Sequence, residues 1–169
     1  MCFNYYILFI TVLFFQKSFS VGILKNKPTM HYFTFEEFEK SETAKLRGID
    51  NTIPDEYKEN IMEFVENILD PLREEWGSPI RITSGYRSEP LNRVLNGSKT
   101  SAHTIGYAAD IVPVNGNMNK FQEFVEKFLQ DKDFDQCIRE KTRNGLAQWL
   151  HIGYKNRQKQ QRKQIFSLI

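Results

Sequence analysis

Three of the 169 residues are histidines, and two of them, His103 and His151, stand where an imidazole could do chemistry. The run from Ser101 to Asp110 reads Ser-Ala-His-Thr-Ile-Gly-Tyr-Ala-Ala-Asp: a polar loop carries the ring of His103, and an otherwise apolar strand carries the carboxylate of Asp110. Between Ala109 and Ile111 that carboxylate is predicted to be buried, which is strongly unfavourable unless a cation or several hydrogen bonds compensate the lost hydration. A divalent zinc ion compensates it directly. Two imidazole nitrogens and one carboxylate oxygen leave the fourth tetrahedral position open to water, the arrangement of catalytic rather than structural zinc sites. The third ligand is then His151, in Gln148-Trp149-Leu150-His151-Ile152-Gly153, where on a strand its ring shares a face with bulky Trp149 and with Gly153. Each residue alone also fits a structural role: a loop histidine, a hydrogen-bonded strand aspartate, a satisfied core histidine. The helical His-Glu-x-x-His signature is absent. His31 has no such neighbours and is expected at the surface or in packing.

Positioning these groups requires one α+β domain, and the chain from Met30 onward is patterned as one. Thr52 to Asp55 opens a helix: Pro54 suits a first turn, Asp55 and Glu56 favour the positive end of the dipole, and Tyr57, Ile61, Phe64, Ile68 and Leu72 recur at helical spacing. Gly77-Ser78-Pro79 ends it, and Ile80 to Thr83 alternates as a strand that stops at Ser84-Gly85. A short helix through Leu91, Val94 and Leu95 is stopped by Asn96-Gly97, and a small polar loop follows to Thr100. Tyr107 to Val112 reads as a buried strand. Asn119 to Gln130 reads as a helix with Phe121, Phe124, Val125 and Phe128 inward, Cys137 as a small buried strand residue, and Trp149 to Tyr154 as the last strand.

Composition limits the alternatives. A chain that is 40% hydrophobic and 26% charged supports one domain with a real core and leaves no room for a second. With Lys+Arg 23 against Asp+Glu 21, the net charge of +2 gives no reason to expect a nucleic-acid partner. Cys2 and Cys137 form no disulfide framework and no close thiolate pair. Met1 to Ser20 is an apolar run expected to be an export signal, an anchor, or untranslated sequence upstream of a start at Met30. The organisation read is therefore residues 1–29 as a leader, 30–155 as the domain and 156–169 as a basic tail. That tail is expected to be a solvated helix or frayed end, or to give weak attraction to an anionic surface such as a bacterial wall. A monomer is expected, with membrane contact only through residues 1–20. A signal would place it in the periplasm or at the wall; otherwise it is cytoplasmic or released at phage lysis.

The Ser-x-His-x-x-Gly-x-Ala-x-Asp run resembles the metal-binding motif of the zinc D-alanyl-D-alanine carboxypeptidase family, relatives of phage endolysin L-alanyl-D-glutamate peptidases and of D-Ala-D-Ala dipeptidases. The likeness extends to Ile82-Thr83-Ser84-Gly85-Tyr86-Arg87-Ser88 upstream and Trp149-Leu150-His151-Ile152 downstream, in the same order. Tyr32-Phe33-Thr34 and Phe134-Asp135-Gln136-Cys137-Ile138 are similar to the small phage and bacterial branch. The resemblance implies the fold shared with the hedgehog signalling domain, a small, mainly antiparallel sheet with helices around it. It implies zinc on His103, Asp110 and His151, and a peptidoglycan stem peptide as substrate. It implies that Arg87 stabilises the oxyanion, that Ser101 orients substrate or His103, and that Gln136 lines the cleft; Gly106 serves backbone geometry. One position departs from the pattern: many relatives carry an acid three residues before the last histidine, where this chain has Gln148, which exchanges no proton near neutral pH. Glu140 is the substitute base if its strand pairs with Trp149 to Tyr154; a solvated strand-end charge is the other reading. Three classes follow: a zinc peptidase on the stem peptide, a wall-binding module that keeps the metal but lost the base, and a structural or signalling domain of the same fold.

Overall fold

The computed structural model describes residues 29–155 and 158–168; residues 1–28 of the expected leader, Cys2 among them, lie outside the described residues. Five strands form one sheet there: β1 (Ile80–Ser84), β2 (Ala108–Pro113), β3 (Gln136–Lys141), β4 (Gln148–Gly153) and β5 (Gln164–Leu168), in the order β1-β2-β4-β3-β5. The first four pair antiparallel, and β5 runs parallel to β3 at the edge. Because strand residues alternate between faces, Ile80, Ile82, Ala109, Ile111, Cys137, Leu150 and Ile152 all point to one side, and all are buried. The architecture is the α+β one read from the sequence, with a mostly antiparallel sheet.

Helices cover that apolar side. The stripe from Tyr57 to Leu72 runs along α3 (Asp55–Phe64), a π-helical turn (Val65–Leu69) and α4 (Asp70–Trp76). Pro71 explains the irregular turn, since a ring without an N–H cannot continue the α-helical ladder. Phe64, Ile68 and Leu72 of this run share the core with Phe121 and Val125 of α6 (Met118–Phe128). Each such side chain contributes about 1.5–3 kcal/mol on burial. Near the start, α1 (Phe35–Glu39) is closed by a capping box between Thr34 and Glu37 and drives Phe38 into the core. A second short helix, α2 (Glu42–Arg47), ends on Gly48. No helix among the described residues is long and apolar enough to cross a membrane.

The tail corrects one expectation. Trp149 to Tyr154 is not the last strand, and the described part of the tail is neither a helix nor frayed: Gln164–Leu168 adds β5 to the sheet. Ile165, Phe166 and Leu168 suit a strand, and the backbone N–H groups of Lys163 and Gln164 donate to the carbonyls of Phe134 and Asp135 at 3.1 Å each.

Candidate metal centre

The face of the sheet away from the helices carries the chemistry. Residues opposed on neighbouring strands share a face, so the pairs Ser84–Asp110, Asp110–His151, Ile138–His151, Glu140–Trp149 and Gln136–Gly153 lay out one continuous surface. His103 reaches it from the β1–β2 connection, where α5 (Glu89–Val94) leads into a 3-10 turn (Ala102–Ile105). That turn ends on Gly106 at φ +79°, a conformation that strains any L side chain; a Cβ there would also lie 2.7 Å from Ile61 Cγ1.

The three candidate ligand atoms form a nearly regular triangle: His103 Nε2 to His151 Nδ1 is 3.1 Å, His151 Nδ1 to Asp110 Oδ1 is 3.0 Å, and His103 Nε2 to Asp110 Oδ1 is 3.3 Å. A tetrahedral zinc with bonds of about 2.0–2.1 Å spaces its ligand atoms by about 3.3 Å, so the donors fit that ion. His103 Nδ1 lies 2.6 Å from the carbonyl oxygen of Gly85, which can only accept. The ring proton therefore sits on Nδ1, and Nε2 turns a lone pair inward. Two lone pairs aimed at one point, those of His103 Nε2 and Asp110 Oδ1, call for a proton or a cation between them. Burial holds His103 below its ordinary pKa and so keeps it neutral, as a metal ligand must be. Burial alone would push the Asp110 carboxyl up; only positive charge or donated protons at the His103 and His151 rings would hold it well below the carboxylate range, the stabilisation that a cation between these groups would also give.

Arg87 completes the frame. Its Nη2 donates to Asp110 Oδ2 at 2.5 Å and its Nε to Ser84 Oγ at 2.9 Å, which leaves Oδ1 of Asp110 turned toward the histidines. Its backbone N–H donates to the His103 carbonyl at 3.2 Å. The resemblance gave Arg87 to the substrate; in the folded chain it has a first partner in Asp110. These groups open into a cavity of about 660 Å³, also lined by Ser101, Gln136, Glu140, Tyr107 and Tyr154.

A family model described as Peptidase M15 matches residues 31–152, the span that holds His103, Asp110, His151, Arg87 and Glu140. The chain belongs to the M15 peptidase family. No curated protein matches it. The M15 match ends before Lys155, so β5 and the loop leading to it lie beyond the matched residues.

In this M15 peptidase Glu140 shares the site face and is half-buried. Burial raises its pKa above the ordinary glutamate value, and the Asp110 charge adds to the rise. Gln136 also reaches the cavity, with its Nε2 donating to Gln164 Oε1 at 3.2 Å. Gln148 does not: three residues before His151 on β4, it points to the other face, where it lines a separate hollow with Met118 and Leu146. His31 is exposed and its backbone N–H donates to Asp70. Cys137 is fully buried, and burial pushes its thiol up to about 12, out of reach of thiolate chemistry.

Two positioning residues escaped the sequence reading. Buried Asn51 donates to the carbonyls of Glu39 and Tyr86 and accepts from the Ser88 N–H, clamping the segment that presents Arg87. Asp135, 3% exposed, binds Arg162 and Lys155 of the tail; its only signal was an acid next to an apolar strand, the same anomaly that exposed Asp110.

Proposed function

We propose that the chain is a zinc metallopeptidase that hydrolyses a peptide bond in the stem peptide of peptidoglycan, as a D,D-carboxypeptidase or in the manner of an endolysin. The observation that carries this reading is the triangle of His103 Nε2, Asp110 Oδ1 and His151 Nδ1, with sides of 3.0–3.3 Å, at the base of an open cavity in an M15 family domain. Zinc held by these three atoms would lower the pKa of water and polarise a peptide carbonyl. The protein's own residues do the rest. Glu140 takes the proton of the attacking water and returns it to the leaving amine; its raised pKa brings it nearer neutrality, where a carboxyl can do both. Arg87 fixes the Asp110 carboxylate through Nη2, and its remaining N–H donors are available to the developing oxyanion in the cavity that it lines. Ser101 and Gln136 supply polar contacts for the peptide on either side of the triad.

The wall-binding alternative rested on the loss of an acid at position 148. That position faces away from the triad, so Gln148 is no argument against catalysis. The test is metal analysis of the purified protein together with mass spectrometry of sacculi incubated with and without chelator. About one zinc per chain and chelator-sensitive shortening or cleavage of stem peptides is the expected outcome. A protein that takes up no divalent metal, or sacculi whose muropeptides are unchanged by it, would end the proposal.

A further inference from the structure

The cavity has a second charged region beside the triad. Lys155, Lys159 and Arg162 line the same space as His103 and His151, and they come from the segment beyond the M15 match. The placement of this segment is fixed by bonds. Arg162 meets Asp135 with its backbone N–H at 3.2 Å and its Nε at 2.9 Å, and with Nη2 on the other carboxylate oxygen. Lys155 Nζ lies 3.0 Å from Asp135 Oδ1, and Lys155 and Gln161 exchange two further hydrogen bonds. β5 then locks the segment to β3.

The charges do not cancel. At the metal end Asp110 and Glu140 stand beside Arg87, whereas at the tail end one carboxylate, Asp135, stands against three cations. Arg162 and Lys155 keep Asp135 ionised: burial would raise its pKa, yet first Arg162 and then Lys155 bring it down to about 2. Arg162 is still 47% exposed at its side chain despite that anchor, and Lys159 is exposed. A surplus of positive charge thus borders the space next to the ligand triangle.

We infer that residues 158–168, with Lys155, form a cationic wall of the cleft that selects peptides carrying a free carboxylate, bound by Lys159 and Arg162 while the scissile bond lies at the triad. The inference rests on the peptidase reading and adds which of this chain's residues would hold a substrate carboxylate. It also reassigns the basic tail, whose charge is directed into the cleft rather than spread toward a distant surface. Asp135 is the positioning residue: it aims Arg162 and Lys155 and takes no part in binding substrate.

The experiment measures binding by calorimetry on the zinc-loaded full chain at low temperature. The probes are L-Ala-γ-D-Glu-L-Lys-D-Ala-D-Ala with both carboxylates free and the same pentapeptide with both as amides. The acid form is expected to bind about tenfold tighter or better, the scale of one charge-assisted hydrogen bond, and the preference should shrink with added salt. Lys159→Gln should lose part of it, and Lys159→Gln with Arg162→Gln nearly all, while Arg162→Lys retains most. Lys159→Gln disturbs no buried group, so the test survives even if Arg162→Gln fails to fold. Equal binding of acid and amide, binding of neither, or full preference in Lys159→Gln overturns the wall. Cleavage is read separately by mass spectrometry on the same samples, so that a peptidase without this preference and a binder that does not cut are told apart.

Discussion

Replacing Glu140 by glutamine keeps the size of the side chain and removes its capacity to exchange a proton. The residue lies opposite Trp149 on the site face, half-buried, one strand away from His151. If it is the general base, turnover falls by about 10²–10⁴-fold, or about 2.7–5.4 kcal/mol of lost transition-state stabilisation. Zinc content should not change, because all three ligand atoms belong to other residues. Stability should move the other way from activity. Burial and the Asp110 charge raise the folded pKa of Glu140 above its value of 4.5 in the unfolded chain. An acid whose pKa is raised on folding favours the fold while protonated and loses that contribution as pH rises through the folded pKa. At neutral pH the metal-free variant should therefore melt at the same temperature as the wild type or above it, and the two should converge in acid. The assay is initial rates of stem-peptide cleavage, with zinc analysis and thermal melts between pH 4 and about 8 on the same preparations. A variant that cuts within threefold of the wild type (about 0.7 kcal/mol) places the base elsewhere. A variant that loses zinc, or melts well below the wild type at neutral pH, shows that Glu140 holds the fold rather than moves a proton.

Gln148→Glu, which restores the acid many relatives carry, should change kcat/KM by no more than about twofold, or about 0.4 kcal/mol, because the side chain faces the hollow with Met118 and Leu146; a gain of tenfold or more would show that β4 turns position 148 into the site. Asp110→Asn should abolish zinc retention and, by leaving Arg87 without its buried partner, destabilise the metal-free protein by about 3–5 kcal/mol in urea unfolding. Gly85→Ala puts a Cβ 2.5 Å from the Phe38 Cα, a backbone clash, so it should cost about 1–3 kcal/mol and weaken zinc binding through the displaced carbonyl that orients His103; unchanged zinc affinity would detach Gly85 from the metal centre. The Asp135 pKa lies below its unfolded value, so the contact holding the tail is fully present above about pH 4 and is lost as pH falls toward 2. Hydrogen exchange at the Lys163 and Gln164 amides should quicken in that window before the core strands open, and simultaneous exchange would refute the anchoring role.

The fold was legible where periodicity is set by the neighbours in sequence. Helical spacing from Tyr57 to Leu72 and the alternation of Ile80 and Ile82 are local signals, and the core assembled from them contains those side chains. The cluster of His103, Asp110 and His151 was legible for the opposite reason: a carboxylate among alanines and isoleucines contradicts its surroundings, and such contradictions mark candidate sites. β5 was hidden because its local signal, Ile165, Phe166 and Leu168, is short and follows a polar run that gives it no pairing partner. Lys155 to Lys163 is basic and glutamine-rich, and what brings it back is the pair of ion contacts that Lys155 and Arg162 make with Asp135, well separated in sequence and just ahead of β3. Position 148 teaches a different lesson. Strand alternation already states that residues 148 and 151 face opposite ways, and in the fold Gln148 lies on the face away from the triad.

Asp110 ties these levels together. Its strand neighbours bury it, its pairing with Ser84 and His151 puts it between two elements, and its two oxygens divide the work, Oδ2 to Arg87 and Oδ1 to the histidines. An aspartate with only one of those partners would gain from protonation or from solvent. With both, the lowest-energy arrangement keeps one lone pair pointed where the lone pair of His103 Nε2 also points. The sheet register, set by apolar residues on the other face, therefore decides the charge geometry on this one. A one-residue slip of β2 against β4 would send Asp110 into the core and destroy site and fold together.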